Sequence, residues 1–371
     1  MSNYILYGTP FSMYTGKAKS YLRYKEIPFD EVFSSASVFK NTIKPNTGVN
    51  FIPVIKTPDE KYIQDSSEII EHLEPNFLNK PIYPVTPKQR LTSLLLELYG
   101  DEWLLLPAMH YRWNFKANVP FIYQEFGRIV APNMPAFIRG FLGRRVASRF
   151  KKYVPQLGIT GNTIPAIEKW FQEEFLIHFE HHLSNYQFIL GDAPSIGDFS
   201  FYGPLGAHLS RDPYPKKLIR EIAPNVADWV ERMENPSDIY GDFLSNDEVP
   251  ETLFPILKDL FDTQWPILED TANQLAKWYA RETNNIHLGK PMSVPRSLGE
   301  HKFVVGDVED SRAVMPFSQW MMQKPLDFYH SLTSDEQQSI EPFLKKINGL
   351  YAMRFHINTP VSRVNNRFVI E

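Results

Sequence analysis

Several places in the chain bring chemically capable side chains to a useful spacing. Glu97, Asp101 and Glu102 fall on one apolar, helical stretch, and paired carboxyl groups are the equipment of general acid–base catalysis. The same three residues suit the charged face of a helix, and the periodicity favours that reading. His178 and His182 stand four apart in Glu173-Glu-Phe-Leu-Ile-His-Phe-Glu-His-His182, a spacing that puts two imidazoles on one helix face for a metal ion. No third ligand is evident and the glutamates mark a wet amphipathic face, so no metal is expected. Asp65-Ser-Ser-Glu68 and Ser195-Ile-Gly-Asp198 set an acid three residues after a capping residue, the pattern of a helix start. Ser12 follows the turn Gly8-Thr-Pro-Phe11, where on its own a serine reads as a turn or capping residue.

These groups are carried by 371 residues, 43% hydrophobic and 22% charged, which excludes a disordered or fibrous chain. Lys and Arg number 39 against 43 Asp and Glu, a net charge of −4, and that sum shows no footprint for nucleic acid. Cysteine is missing entirely. Disulfides, cysteine metal ligands and a cysteine nucleophile are therefore excluded, and a reducing compartment is permitted. The first eight residues lack the basic-then-apolar pattern of a leader. The richest apolar stretch, Leu94 to Met109, is interrupted by Glu97, Asp101, Glu102 and Pro107 and is too charged to span a bilayer. The expectation is a cytoplasmic protein with neither membrane nor nucleic-acid partners.

Residues 1–80 alternate strand and helix signals. Tyr4-Ile-Leu-Tyr7 and Phe29 to Phe33 read as strands, and Gly16 to Tyr24 follows helical spacing. Pro53-Val-Ile-Lys56 and Lys61-Tyr-Ile63 flank a hairpin turn, and Asp65 opens a helix striped by Ile69, Ile70 and Leu73. A polar stretch with Lys40, Lys44, Pro45 and Gly48 reads as a long loop. The order is β-α-β-loop-β-β-α, a compact α/β layer. Four prolines between Pro75 and Pro87 mark a linker, and residues 88–240 read as all-helical. Residues 241–371 stay mostly helical, best at 252–283 and 334–352, around a Pro- and Gly-rich segment 289–317 with one strand-like run, Lys302-Phe-Val-Val305.

Taken in order, Ser12 ahead of the first helix, Ile52-Pro53 ahead of a strand and Asp65-Ser66 capping a helix resemble the glutathione transferase superfamily. Ser12-Met-Tyr-Thr-Gly-Lys-Ala-Lys19 is similar to the redox loop of glutaredoxins with serine and threonine in place of the cysteines. Serine-type transferases, such as the zeta class, place their active serine at this point. Phe188-Ile-Leu-Gly-Asp-Ala-Pro-Ser-Ile-Gly-Asp-Phe199 is similar to the family's signature in its helical domain. The resemblance covers about 1–240, and the remainder is similar to the extension of certain long bacterial members. It implies a thioredoxin-like α/β domain (1–80), an all-α domain (88–240) and a mostly helical C-terminal extension (241–371).

The resemblance also implies glutathione as cosubstrate, without a metal. Glutathione brings its own thiol, of ordinary pKa ~8.5, and only the thiolate attacks electrophiles. Ser12 would donate a hydrogen bond to the sulfur, helped by the helix start behind it. Asp65 would take the γ-glutamyl ammonium, and the Ser66 hydroxyl with open N–H groups its carboxylate. A cis Ile52–Pro53 bond would turn the Ile52 backbone toward the peptide, and Lys44 (or Lys40) would meet the glycyl carboxylate from the loop. Tyr14, Trp103, His110 and Trp113 are candidates to line a pocket for an apolar electrophile, although an aromatic stripe at helical spacing is more often core. Conjugation, substitution and isomerisation share the thiolate step. The segment 289–317, with Arg296, His301, Arg312 and nearby Trp320, reads either as a lid on the cleft or as a strap over the extra helices. Other readings are a non-catalytic interaction module whose function lies in the extension, and a thiol–disulfide oxidoreductase needing glutathione for both sulfurs. The family implies a possible homodimer.

Overall fold

The computed structural model describes residues 3–283 and 291–370, so 289 and 290 of the proposed lid or strap lie outside the described residues. The N-terminal layer is a four-stranded sheet in the order β2-β1-β3-β4, with β1 Tyr4–Gly8, β2 Phe29–Phe33, β3 Val54–Lys56 and β4 Tyr62–Gln64. β1 pairs parallel with β2 and antiparallel with β3, where Tyr7 faces Val54. Helix α1 (Met13–Tyr24) crosses between the parallel strands, and α2 (Ser66–Leu73) follows β4. Ile69, Ile70 and Leu73 are buried as the stripe requires.

The stretch expected as a loop is helical over 36–47. Ser35 caps it by accepting from Val38 N at 3.3 Å, and Gly48, at φ 74°, ends it. Only Ile43 and Thr47 are buried on this run, so its polar residues and Pro45 erased the periodicity. Ile43 packs with Tyr7 and Val54 under the sheet.

Residues 77–86 contain neither helix nor strand. Beyond them lie α3 (Pro87–Glu102), α4 (Leu105–Asn114), α5 (Val119–Val130), α6 (Ala136–Lys151), a continuous helical run 164–183 and α7 (Ile196–Pro204). The Ser195–Asp198 box is formed, and Asp198 does more than cap. Its buried carboxylate accepts from Ser195 N (2.8 Å) and Oγ (2.9 Å), Ile189 N (3.0 Å) and Trp229 Nε1 (3.2 Å). Burial nevertheless raises its pKa to about 6.

The extension opens with helical residues 251–283, ending in α8 (Trp265–Thr283). β5 (Met292–Ser293), the hairpin β6 (Glu300–Val305) and β7 (Val308–Ala313), α9 (Pro316–Ser331), α10 (Ser334–Lys346), β8 (Ser362–Val364) and β9 (Arg367–Ile370) follow. The strand-like run at 302–305 is thus half of a hairpin. α9 did not stand out because Pro325 lies inside it, and β8 and β9 because they are three and four residues long. Their turn residues, Asn365 and Asn366, both take positive φ (51° and 61°), the requirement of a tight hairpin. Buried side chains from the sheet, the helical domain and the extension form one contiguous apolar cluster running from Leu6 to Ile370. Replacing Asp198 by alanine strands four buried donors at once, and urea unfolding should show a loss of about 3–5 kcal/mol.

Candidate functional site at one end of the sheet

The register brings three segments to one sheet end. Pro53 precedes Val54, the partner of Tyr7, so it lies beside the turn that leaves β1 at Gly8 and reaches Ser12. Asp65 follows β4, and its N–H bonds the Pro53 carbonyl at 3.1 Å. Ser12, Pro53 and Asp65 therefore share that end. The Ile52–Pro53 bond is cis.

Ser12 is the half-buried N-cap of α1, and its Oγ accepts from Thr15 N at 3.3 Å. That bond uses a lone pair and leaves the hydroxyl proton free to donate outward. The N–H groups of Met13 and Tyr14 have no acceptor among the described residues. Buried Thr15 packs on Gly8 so closely that a Cβ there would lie 2.3 Å from Thr15 Cγ2. The Phe11 carbonyl is held by Arg112 at 2.8 Å, whose guanidinium grips Asp212 through two 2.7 Å bonds. His208 Nε2 also lies 3.1 Å from that oxygen. The serine loop is thus clamped from the helical domain.

Asp65, at φ 93° and ψ 139°, occupies backbone space that L-residues rarely adopt. Its Oδ1 accepts from Ser67 N at 2.9 Å, which caps α2. The expected partner Glu68 does not close a box and instead faces Arg363. The hydroxyl and N–H of Ser66 make no hydrogen bond among the described residues.

Beneath these groups lies an ionic cluster the periodicity hid. Glu97, Asp101 and Glu102 are buried, which overturns the expected wet face. Lys17, fully buried on α1, reaches Asp101 Oδ2 (2.6 Å), Glu97 Oε1 (2.8 Å) and Ser67 Oγ (3.0 Å), and Ser67 Oγ also lies 2.7 Å from Glu97. Burial pulls the Lys17 pKa down, and Asp101 and Glu97 more than reverse it. One ammonium cannot offset two carboxylates. Glu97 stays below its usual range through Lys17 against the pull of burial, while burial and the neighbouring Glu97 push Asp101 up. Glu102 rises to about 7, mainly by burial, with Ser318 and Arg312 as its counterweights.

The aromatic candidates divide. Tyr14 faces the cluster, its hydroxyl donating to the Asp101 carbonyl at 3.2 Å. Burial, then Glu102, Asp101 and Asp65, raise its pKa well above 10, so it is a donor and not a base. Trp103, His110 and Trp113 are buried core, a correction to their reading as pocket lining. Trp103 stands edge-on to Trp170, and Trp113 packs against Phe126. His110 is held by Glu168 (2.8 Å) and Asn114 (3.0 Å), and burial keeps it neutral by lowering its pKa. Lys44 and Lys40 are exposed on the outer helical run. His182 is likewise structural, bonded to Thr252 (2.8 Å) and to the Phe188 carbonyl (3.1 Å). The segment around 300–313 acts as a strap: buried His301 and Arg312 line a cavity of about 10 Å³ with Glu102, Trp103 and Ser318. Sequence reasoning missed Lys17, Ser67 and Arg112, all polar residues inside apolar helices.

A mixed βαβ–ββα sheet whose cis-proline loop faces a serine-capped helix, followed by an all-helical domain, is the two-domain class of thioredoxin-like transferases. Residues 6–81 match the family of the glutathione S-transferase N-terminal domain, and residues 172–236 that of its C-terminal domain. These two domains belong to the glutathione transferase superfamily. No curated protein matches the chain. Among solved structures it is similar to a glutathione S-transferase of Methylobacterium radiotolerans in complex with glutathione sulfonate (20% identity, covering 67% of this chain and 100% of that one, TM-score 0.39). It is also similar to a β-etherase of Sphingobium (17%, 62% and 95%, 0.41) and a transferase-like protein of Pseudomonas syringae (20%, 68% and 80%, 0.41).

Removing the ammonium should strand the buried carboxylates: Lys17→Met is expected to cost about 3–5 kcal/mol in urea unfolding, and Glu97→Gln in the same chain to restore part of it. The raised carboxyls also set a pH dependence. They keep protons in the folded state that the unfolded chain has released, so their stabilisation is full below about pH 4 and is lost as pH rises through about 7. Stability should fall between about pH 4 and 7, and Glu102→Gln should reduce that fall by about 1–3 kcal/mol.

Proposed function

We propose that this protein is a glutathione-dependent transferase in which Ser12 stabilises the glutathione thiolate for attack on an electrophilic small molecule. The observation that carries the reading is the free Ser12 hydroxyl and the two open N–H groups beside it, at the sheet end shared with the cis-proline and the acidic start of α2. The residues fit the tripeptide chemically. Asp65 offers an anion to the ammonium, and the open Ser66 hydroxyl and N–H offer donors to the adjacent carboxylate. The Ile52 backbone offers main-chain bonds to the cysteinyl part.

A hydroxyl and a helix N-terminus both favour the anionic sulfur, and each unit of thiol pKa corresponds to about 1.4 kcal/mol, within the range of one charge-assisted hydrogen bond. Tyr14 stays a protonated phenol whose proton is held on the Asp101 carbonyl, so it positions the start of α1 against the helical domain and no proton-donating role toward the electrophile is assigned to it. Addition, displacement of a leaving group and isomerisation all begin with sulfur attack.

Calorimetric titration with reduced glutathione tests the reading. Wild-type protein should bind saturably. Asp65→Asn, which keeps the cap acceptor and tolerates positive φ, should weaken binding about tenfold through the lost charge. Ser12→Ala should lower turnover of a model electrophile about 10- to 100-fold while changing the binding constant by less than about threefold. No binding at millimolar glutathione would overturn the proposal.

A further inference from the structure

The hairpin of α5 and α6 carries a charge pattern that the net charge conceals. Residues 126–167 hold seven Arg and Lys and no Asp or Glu, in a chain whose sum is −4. Arg144, Arg145, Arg149, Lys151 and Lys152 are exposed and make no ion pair among the described residues. The nearest acid on the hairpin, Glu125, is buried and already bonded to Arg128 and Arg211. Apolar side chains stand beside these cations. Phe137 and Phe141, one turn apart, are 77% and 68% exposed, and Met134 just ahead of α6 is 50% exposed.

This face is held outward by the packing behind it. Gly127 and Gly143 let the two helices meet backbone to backbone: a Cβ on Gly143 would lie 1.8 Å from the Tyr123 carbonyl, and one on Gly127 2.2 Å from that of Arg139. Buried Gly143 and Ala147 form the inner side. At about 100° per residue, Phe137, Phe141, Arg144, Arg145 and Ser148 share the opposite side.

We infer that this face docks on a bilayer surface carrying anionic lipid headgroups. The five unpaired cations match the charge of such headgroups, and the adjacent phenylalanines and methionine reach the headgroup–acyl boundary, where their exposed area leaves water. A second copy on the same face would set cation against cation across a two-fold axis. A nucleic acid would satisfy the cations and leave Met134 and much of both phenylalanines in water. The absence of a helix able to cross a membrane among the described residues does not bear on a surface contact. The inference is independent of the proposed glutathione chemistry.

Co-sedimentation of the full-length protein with vesicles tests it. Vesicles of phosphatidylcholine with about 30% phosphatidylglycerol should retain the protein at ~0.1 M salt, and pure phosphatidylcholine should not. Phe137→Ser with Phe141→Ser, or Arg144→Gln with Arg145→Gln, should each weaken retention at least about tenfold while circular dichroism and glutathione binding stay unchanged. Equal retention by uncharged vesicles, retention that survives both variant pairs, or none on anionic vesicles would overturn the inference. So would a single-stranded oligonucleotide that binds with the same dependence on Phe137 and Phe141, or a dimer in light scattering that those changes dissolve.

Discussion

One buried ammonium fixes the relation among the parts that matter. Lys17 Nζ contacts α2 through Ser67 and α3 through Glu97 and Asp101, and it sits on α1 five residues after Ser12. Ser67 is two residues after Asp65 and donates its N–H to that carboxylate. The same cluster therefore sets both ends of the candidate site against the helical domain. Buried ion pairs contribute little net stability, since desolvation cancels much of the attraction. What an ionic contact supplies here is a unique docking geometry, because sliding α1 by one turn would leave three groups uncompensated in the interior.

The extension takes part in the same balance. Lys324 of α9 pairs with Glu71 on α2 and adds its charge near Glu97. Arg312 of β7 faces Glu102, and Ser318 bonds it. At the far end, Arg363 reaches Gln64 at 2.6 Å, and Asn366 reaches the Thr47 carbonyl at 2.9 Å. Stripped of these partners, the α3 carboxyls would face Lys17 alone. The third region is thus a counter-charge to the junction of the other two, and a reading of it as an appendage misses that role.

Local signals carried the sequence reading as far as local physics decides structure. The succession of strands and helices along residues 1–80 followed from short apolar runs and a proline-bearing turn, and the Ser195–Asp198 start from a side chain that satisfies nearby N–H groups. The α3 carboxylates could not be read that way, because Lys17 lies 80 and 84 residues before Glu97 and Asp101, Ser318 lies 216 residues after Glu102, and periodicity treats any charge as wet. The aromatic stripe failed for the opposite reason. Trp103, His110 and Trp113 satisfy the pattern of a pocket and of a core equally, and only the burial against Trp170, Glu168 and Phe126 separates them. Of the site itself, Ser12, the cis-proline position and Asp65 stood out through a resemblance. The clamp by Arg112 did not, since a lone arginine among aromatics carries no local signature.

The same distinction applies to charge. A net sum of −4 counts Glu97, Asp101, Glu102, Glu125, Asp198 and Asp212, all of them buried. Inside the protein these groups are paired, hydrogen-bonded or close to holding a proton, and they project little field into solvent. The outer surface is therefore less acidic than the composition states. Because screening confines surface fields to about 8 Å at physiological salt, an approaching partner senses the residues within that reach and not the total. On the α5–α6 hairpin those residues are cationic, and the acids that balance them in the sum lie in the interior and on other faces. Composition excludes partners only where charge is evenly spread. On this hairpin, folding has left the exposed cations of α6 without an ion-pair partner among the described residues.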